Sequence, residues 1–407
     1  MSPIRRAIVL VLDSVGVGEM ADAERYGDGG CNTLGHIDEA VGGLRLPTLG
    51  SLGIGNIISL RATPPSPSPA GAFGKMAERS VGKDSITGHW ELAGVVLDRA
   101  FPLYPRGFPQ PVIADFEEAI GRPVLGNVAA SGTEIIRELG EEHLRTARPI
   151  VYTSADSVFQ VAAHLEAVPL DELYRWCRQA RGILSGAHEV ARVIARPFSG
   201  PPGAFARTKD RRDFSVAPPA PTILDIARSG GLSTTAIGKV FDLFSGRGIG
   251  RSLPEKDNEA CLEALLGLLG ENREPGIVFC TLVDFDMLFG HRNDPAGYAE
   301  ALRRFDDRLI AVLEALGRDD ALFVTADHGN DPTTPSTDHS REYVPILVTG
   351  EAVRESLDLG VRSSFADVAA TIRDLLDLPG PRTGKSFAAE LLGQPRLAQP
   401  AGCPRDP

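Results

Sequence analysis

The stretch "LFVTADHGNDPTTPSTDH", Leu322 to His339, follows an apolar run with three aspartates and two histidines. A strand-to-loop junction has no structural need of that chemistry, but a divalent metal does, because carboxylate and neutral imidazole are its ordinary protein ligands. Asp327 and His328 are adjacent, and His339 returns after a loop containing Pro332 and Pro335. Two further apolar runs also lead into acids. "AIVLVLD" ends at Asp13, and "GIVFCTLVDFD" ends at Asp286, with His291 five residues on in "DFDMLFGHR". A lone aspartate after a strand is more often a turn or cap residue, and Asp284, Asp331 and Asp338 compete for the same role. The joint occurrence of three acid-terminated runs with short-offset histidines points instead to two metal ions, each with open coordination positions. Mixed carboxylate and imidazole ligation without thiolate suits Mn²⁺ or Zn²⁺.

A second stretch, "SVGKDSITGHWE" (Ser80 to Glu91), offers the hydroxyls of Ser85 and Thr87. A serine near a helix start is usually an N-cap. Beside two metals the same hydroxyl becomes a candidate nucleophile, and a helix N-terminus would favour the phosphate it received. His89 and Trp90 are expected to shape or pack the pocket.

These groups need a scaffold that brings distant segments to one edge. Continuous apolar runs at Ala7–Asp13, Ser233–Gly238, Gly276–Asp286, Ala321–Asp327 and Val344–Gly350 read as buried parallel strands. They alternate with helical patterns such as "NEACLEALLGLLG" and "GYAEALRRFDDRLIAVLEALG". That alternation predicts a doubly wound α/β core, whose ligands bind at the carboxyl ends of the strands. Proline-rich joints set off 100–217 as an inserted, smaller α+β domain, leaving 1–99 and 218–392 as two parts of the core. The polar, proline-rich tail 393–407 is expected to be disordered. With 407 residues, 43% apolar and 24% charged, the chain reads as a soluble globular protein. Its net charge of -12 argues against nucleic acid as a partner. Five scattered cysteines without a C-x-x-C pair suit a reducing compartment. No apolar run spans a membrane, and the start of the chain is too short of apolar residues for a signal peptide, so a cytoplasmic location is expected.

Taken together, "DSVGVGE", "GDGGCNTLGHI", "GKDSITGHWE", "YTSADSVFQ", "VDFDMLFGHRNDPAGYAEALRRFDDRL" and "TADHGNDPTTPSTDHSREYVPIL" resemble the bacterial phosphopentomutases of the alkaline phosphatase superfamily. The resemblance runs to about Phe387 and implies an alkaline-phosphatase-like core with a cap domain. It implies two Mn²⁺ per subunit, one held by Asp13, Asp327 and His328 and the other by Asp286, His291 and His339. The family's nucleophile, usually threonine, falls on Ser85. Ser154, Asp156 and Val158 in "YTSADSVFQ", with Arg192, Arg207 and Lys239, are implied as contacts to a pentose phosphate. Arginine is suited to that task because its planar fork matches phosphate. Asp210 stands where the family's "RT-x-N-R" segment has asparagine. The implied reaction interconverts ribose 1-phosphate and ribose 5-phosphate, and the 2-deoxyribose pair, through a phosphoserine and a sugar 1,5-bisphosphate. A sugar bisphosphate such as glucose 1,6-bisphosphate would prime it. The alternative on the same metal core is a phosphatase, or a mutase of another sugar phosphate. A non-catalytic metal-binding protein would have no need of both the ligand set and the hydroxyl. The sequence carries no signal for oligomeric state.

Overall fold

A computed structural model describes residues 2–154, 156–271, 274–380 and 383–393. Nearly all of the tail expected to be disordered, 394–407, lies outside the described residues. The chain forms two compact units. One comprises Met1–Asp98, Pro219–Phe241 and Arg247–Pro407, and the other comprises Arg99–Pro218 and Asp242–Gly246.

The first unit is built on an eight-stranded sheet. Its order is Arg251–Leu253, Ser233–Ile237, Gly276–Leu282, Arg6–Leu12, Asp320–Thr325, Val344–Thr349, Ala72–Met76 and Leu357–Arg362. Strand Arg6–Leu12 lies at its centre, in parallel register with Gly276–Leu282 on one side and Asp320–Thr325 on the other. All three strands are buried at every position, which is why they read as unbroken apolar runs rather than alternating ones. The sheet is not wholly parallel. Val344–Thr349 runs antiparallel to both neighbours, because it returns directly from the loop after Asp327 without a crossover helix. Gly276–Leu282 also ends earlier than its apolar pattern suggests, and a helical turn at Phe285–Phe289 follows it. Among the described residues, no helix is long and apolar enough to cross a membrane.

At the amino ends of the strands, a buried ion pair ties the first strand to its neighbour. Arg6 Nε donates to Asp320 Oδ1 at 2.8 Å and Nη2 to Oδ2 at 2.6 Å. Asp320 also accepts from the Gly317 amide at 2.7 Å. The carboxylate of Asp306, on the long helix Pro295–Ala315, accepts from the amides of Thr48 and Leu49 and so caps the helix Pro47–Leu52.

The second unit has its own six-stranded sheet. Its path is Leu125–Ala129, Ile150–Thr153, Val158–His164, Arg192–Ser199 and Ala206–Arg207, and Arg212–Ser215 also pairs with Arg192–Ser199. Phe108, Phe116, Phe159 and Trp176 fill one core, to which helices Gln110–Ile120 and Leu170–Ile183 contribute. A smaller core of Ile135, Ile136, Ile150, Tyr152 and Phe198 packs helix Gly132–Thr146 onto the sheet.

Removing one partner of a buried ion pair leaves the other charge uncompensated, at a cost of about 3–5 kcal/mol. Asp320→Ala is therefore expected to lower the stability of the first unit by about that amount in denaturant titration, because the buried Arg6 charge loses its Asp320 carboxylate. An unchanged midpoint would show that the pair does not anchor the sheet.

Candidate metal centre

Three segments deliver acids to the carboxyl end of the sheet, by different local devices. Asp13 directly follows its strand, and the chain then turns sharply because Ser14 adopts a left-handed φ of 72°. In that conformation the Ser14 amide donates to Asp327 Oδ1 at 3.2 Å, and its hydroxyl meets the Tyr298 hydroxyl at 2.9 Å. Asp327 and His328 lie just beyond strand Asp320–Thr325. Asp286 does not terminate a strand; it sits in the helical turn Phe285–Phe289, and the next turn, Gly290–Arg292, carries His291.

The return of His339 has a definite cause. Gly329 and Ser340 form an antiparallel bridge, each amide donating to the other's carbonyl, at 3.1 and 2.8 Å. The bridge pinches the intervening loop and brings the ring of His339 to 3.9 Å from that of His328. Buried Glu342 holds the base of the loop, accepting from the hydroxyls of Thr33 and Ser340 and from the amides of Thr33 and Gly18. Asp331 fixes the loop's other flank through His36 Nδ1 at 2.6 Å and the Asn32 amide at 3.0 Å.

Two clusters result. Asp13, Asp327 and His328 form one, Asp286, His291 and His339 the other, and in each the donor atoms lie within 4.8 Å of one another. In the first, His328 Nε2 is 3.6 Å from Asp13 Oδ1 and 3.3 Å from Asp327 Oδ2. Burial pushes the His328 imidazole down to about 3, leaving it neutral and able to ligate. Burial opposes the Asp327 carboxylate, but His328, His89 and Lys239 around it hold its pKa below the usual range. In the second cluster, Asp286 Oδ2 lies 3.0 Å from His291 Nε2 and 3.6 Å from His339 Nε2. His291 Nδ1 faces the Thr337 carbonyl at 2.6 Å, a contact that protonates that nitrogen and leaves Nε2 turned toward the cluster.

The residues fit divalent cations. Asp13 Oδ1 is buried and accepts no hydrogen bond, an expensive arrangement unless something else satisfies it. The donors are oxygen and imidazole nitrogen without sulfur, which is a hard-to-borderline ligand set.

Ser85 opens the helix Ser85–Leu92. That helix approaches so closely that a Cβ on Gly88 would lie 2.0 Å from the Asp327 carbonyl oxygen. Ser85 Oγ lies 3.1 Å from His328 Nε2 and accepts from Lys239 Nζ at 2.9 Å. The same ammonium is 2.5 Å from Asp13 Oδ2. Burial works against the charge on Lys239, but Asp13, Asp327 and Asp286 raise its pKa above the ordinary value. Thr87 faces elsewhere, donating to Asp84 Oδ2 at 2.5 Å. Asp84 also takes the Ile86 and Thr87 amides, so these two donors at the helix N-terminus are already occupied by a carboxylate.

The remaining sequence-derived candidates lie in the second unit. Arg192 pairs with Asp156 at 3.6 Å and Asp213 at 3.5 Å. Val158 is buried in its strand, and Ser154 is half-buried. Arg207 is exposed on the short strand Ala206–Arg207.

Sequence reasoning missed Asn330, which is fully buried and donates from Nδ2 to Asp286 Oδ1 at 2.8 Å. It also assigned His89 only a packing role. His89 Nδ1 lies 3.0 Å from Asp327 Oδ2 and 2.8 Å from the Ser85 carbonyl, with Nε2 held by Thr281 at 2.7 Å. The asparagine in "DHGN" adjoins the ligand pair, but nothing in the sequence shows that its amide turns back toward Asp286.

A family model described as the Metalloenzyme superfamily matches residues 223–379. A phosphopentomutase from Caldanaerobacter subterraneus subsp. tengcongensis is 55% identical over 388 residues, which cover 95% of this chain and 98% of that protein. Another, from Desulfitobacterium hafniense, is 54% identical over 389 residues, covering 96% of this chain and 100% of its own. The chain belongs to the phosphopentomutase family. Among solved structures, a phosphoglycerate mutase from Leishmania mexicana aligns at 13% identity over 95% of this chain and 97% of that one, with a TM-score of 0.48.

Asn330→Ala should weaken divalent-metal binding by about 10–100-fold, the usual effect of losing a residue that orients a ligand. Calorimetric titration of metal-stripped protein reads this directly, and an unchanged affinity would refute the role given to Asn330.

Proposed function

We propose that this protein is a Mn²⁺-dependent phosphopentomutase that interconverts ribose 1-phosphate and ribose 5-phosphate, and the 2-deoxyribose pair, with Ser85 as the phosphate carrier. The observation that carries this reading is the place of Ser85 Oγ, within hydrogen-bonding distance of both Lys239 Nζ and His328 Nε2. Asp13, Asp327 and His328 would hold one ion, and Asp286, His291 and His339 the other. Bound there, the ions would supply positive charge to the transferring phosphoryl group and lower the barrier to its in-line displacement.

In the first half-reaction, phosphorylated Ser85 donates to the C1 hydroxyl of ribose 5-phosphate. The bond from phosphorus to Oγ breaks, the bond from phosphorus to the C1 oxygen forms, and the hydroxyl proton ends on Ser85. In the second, ribose 1,5-bisphosphate returns its 5-phosphoryl group to Oγ, the serine proton ends on the C5 oxygen, and ribose 1-phosphate leaves. Lys239 places a fixed ammonium beside Oγ, where negative charge develops in both directions. Serine is a competent substitute for threonine because each offers an alcohol at the same backbone position. Arg192, Arg207, Ser154, Asp156 and Val158 in the second unit serve the sugar phosphate. A sugar bisphosphate such as glucose 1,6-bisphosphate primes the unphosphorylated serine, and the reaction belongs to cytoplasmic nucleotide salvage.

A mutase must keep phosphoserine intact until a sugar hydroxyl arrives, whereas a phosphatase must hydrolyse it. Protein incubated with glucose 1,6-bisphosphate is therefore expected to carry one phosphate on Ser85 by mass spectrometry. That phosphate should transfer rapidly to ribose 5-phosphate and hydrolyse slowly in buffer, and Ser85→Ala should neither take it up nor turn over. Hydrolysis as fast without acceptor as with it would make the protein a phosphatase, and phosphate on Thr87 would move the nucleophile.

A further inference from the structure

His89 makes more polar contacts than a packing residue needs, and they join separate parts of the metal centre. Its side chain is fully buried, as is that of Thr281. Phe279 and Thr281 stand two residues apart on strand Gly276–Leu282 and so share one face of the sheet. From that face the Phe279 ring stacks on the imidazole, with centroids 5.8 Å and planes 28° apart. The Thr281 hydroxyl meets Nε2 at 2.7 Å. One strand thereby fixes both the plane of the ring and one of its two nitrogens.

The other nitrogen, Nδ1, lies 2.8 Å from the Ser85 carbonyl and 3.0 Å from Asp327 Oδ2. A carbonyl and a carboxylate can only accept, so Nδ1 carries a proton and the two oxygens share it. Each of them has a need that this proton meets. Ser85 is the first residue of its helix, and helix ends are the parts that open most readily. Asp84 holds the Ile86 and Thr87 amides there, while His89 holds the carbonyl of Ser85 itself. Asp327 has one oxygen, Oδ1, held by the Ser14 amide at 3.2 Å, and its other oxygen faces His89.

We infer that His89, its ring oriented by Thr281, is a positioning residue that ties the nucleophile Ser85 to the metal-ligating carboxylate of Asp327. Without the tie every proposed ligand remains, but the Asp327 carboxylate is free to turn and the start of helix Ser85–Leu92 is free to shift. Metal affinity and phosphate uptake should therefore fall together, while binding of the sugar phosphate is spared. The effect on phosphate uptake rests on Ser85 as the carrier, and the effect on metal affinity does not.

Three variants separate positioning from packing. His89→Leu removes the donor, His89→Asn keeps an amide nitrogen as many bonds from Cβ as Nδ1, and Thr281→Val removes only the hydroxyl. Full-length Mn²⁺-loaded protein is taken through a graded chelator series and the manganese it retains is counted. Phosphate uptake on Ser85 from glucose 1,6-bisphosphate, and kcat and KM for ribose 5-phosphate, are measured alongside. His89→Leu and Thr281→Val should release an ion at about 10–100-fold lower chelator concentration, the usual effect of losing a residue that orients a ligand. Both should lower kcat with little change in KM, and His89→Asn should recover most of the metal affinity and of kcat. If His89→Leu does not fold, Thr281→Val carries the test, with Thr281→Ser expected to restore what valine loses. Equal impairment of the asparagine and leucine variants would make His89 a packing residue and overturn the proposal. Manganese retention like that of the unaltered protein in both His89→Leu and Thr281→Val would overturn it as well. If the unaltered protein takes up no phosphate, the mutase reading fails, and the manganese counts still decide the role of His89.

Discussion

Three carboxylates, Asp13, Asp286 and Asp327, are buried together at the carboxyl end of one sheet, and much of the first unit is arranged around their mutual repulsion. Like charges this close cannot all ionise in low dielectric without compensation. Burial pushes the Asp13 carboxyl up, and Asp327 and Asp286 push it further, against the pull of Lys239. Lys239 and the histidines offset part of the charge, while Asp13 Oδ1 still lacks a hydrogen-bond partner. Divalent ions are the natural complement to that deficit. The left-handed turn at Ser14, the Gly329–Ser340 bridge and the buried Glu342 network all hold the chain in a shape that exists to keep these acids together.

The same deficit shapes the chemistry at Ser85. An ammonium placed between Asp13 and Ser85 Oγ gains its stability from the acids and lends its charge to the hydroxyl. Phosphate stabilisation at this point does not come from the Ile86 and Thr87 amides, since Asp84 occupies them.

The sequence made the central strands legible because strands buried on both faces are apolar throughout, and Asp13 and Asp327 were legible as the acids just past them. The short edge strand Arg251–Leu253 and strands Ala72–Met76 and Leu357–Arg362 lack that signal, since several of their positions are exposed or only partly buried. Asp286 was found for a reason that was only partly right, because the apolar run ends at Leu282 and a helical turn supplies the geometry. His339 stood out by residue type, but the bridge that returns it depends on backbone hydrogen bonds with no sequence signature. Asn330 and His89 were opaque for a shared reason. Their roles depend on which way a polar side chain turns inside a packed interior, and that is a property of the fold.

The proposed function requires two metal ions held by two separate ligand sets. Crystals grown with Mn²⁺ and measured at the manganese absorption edge should show two anomalous peaks per chain. One should lie within coordinating distance of oxygen and nitrogen atoms of Asp13, Asp327 and His328, and the other within coordinating distance of Asp286, His291 and His339. A single peak, or a second one coordinated by Asp331 or Asp338 in place of these residues, would contradict it.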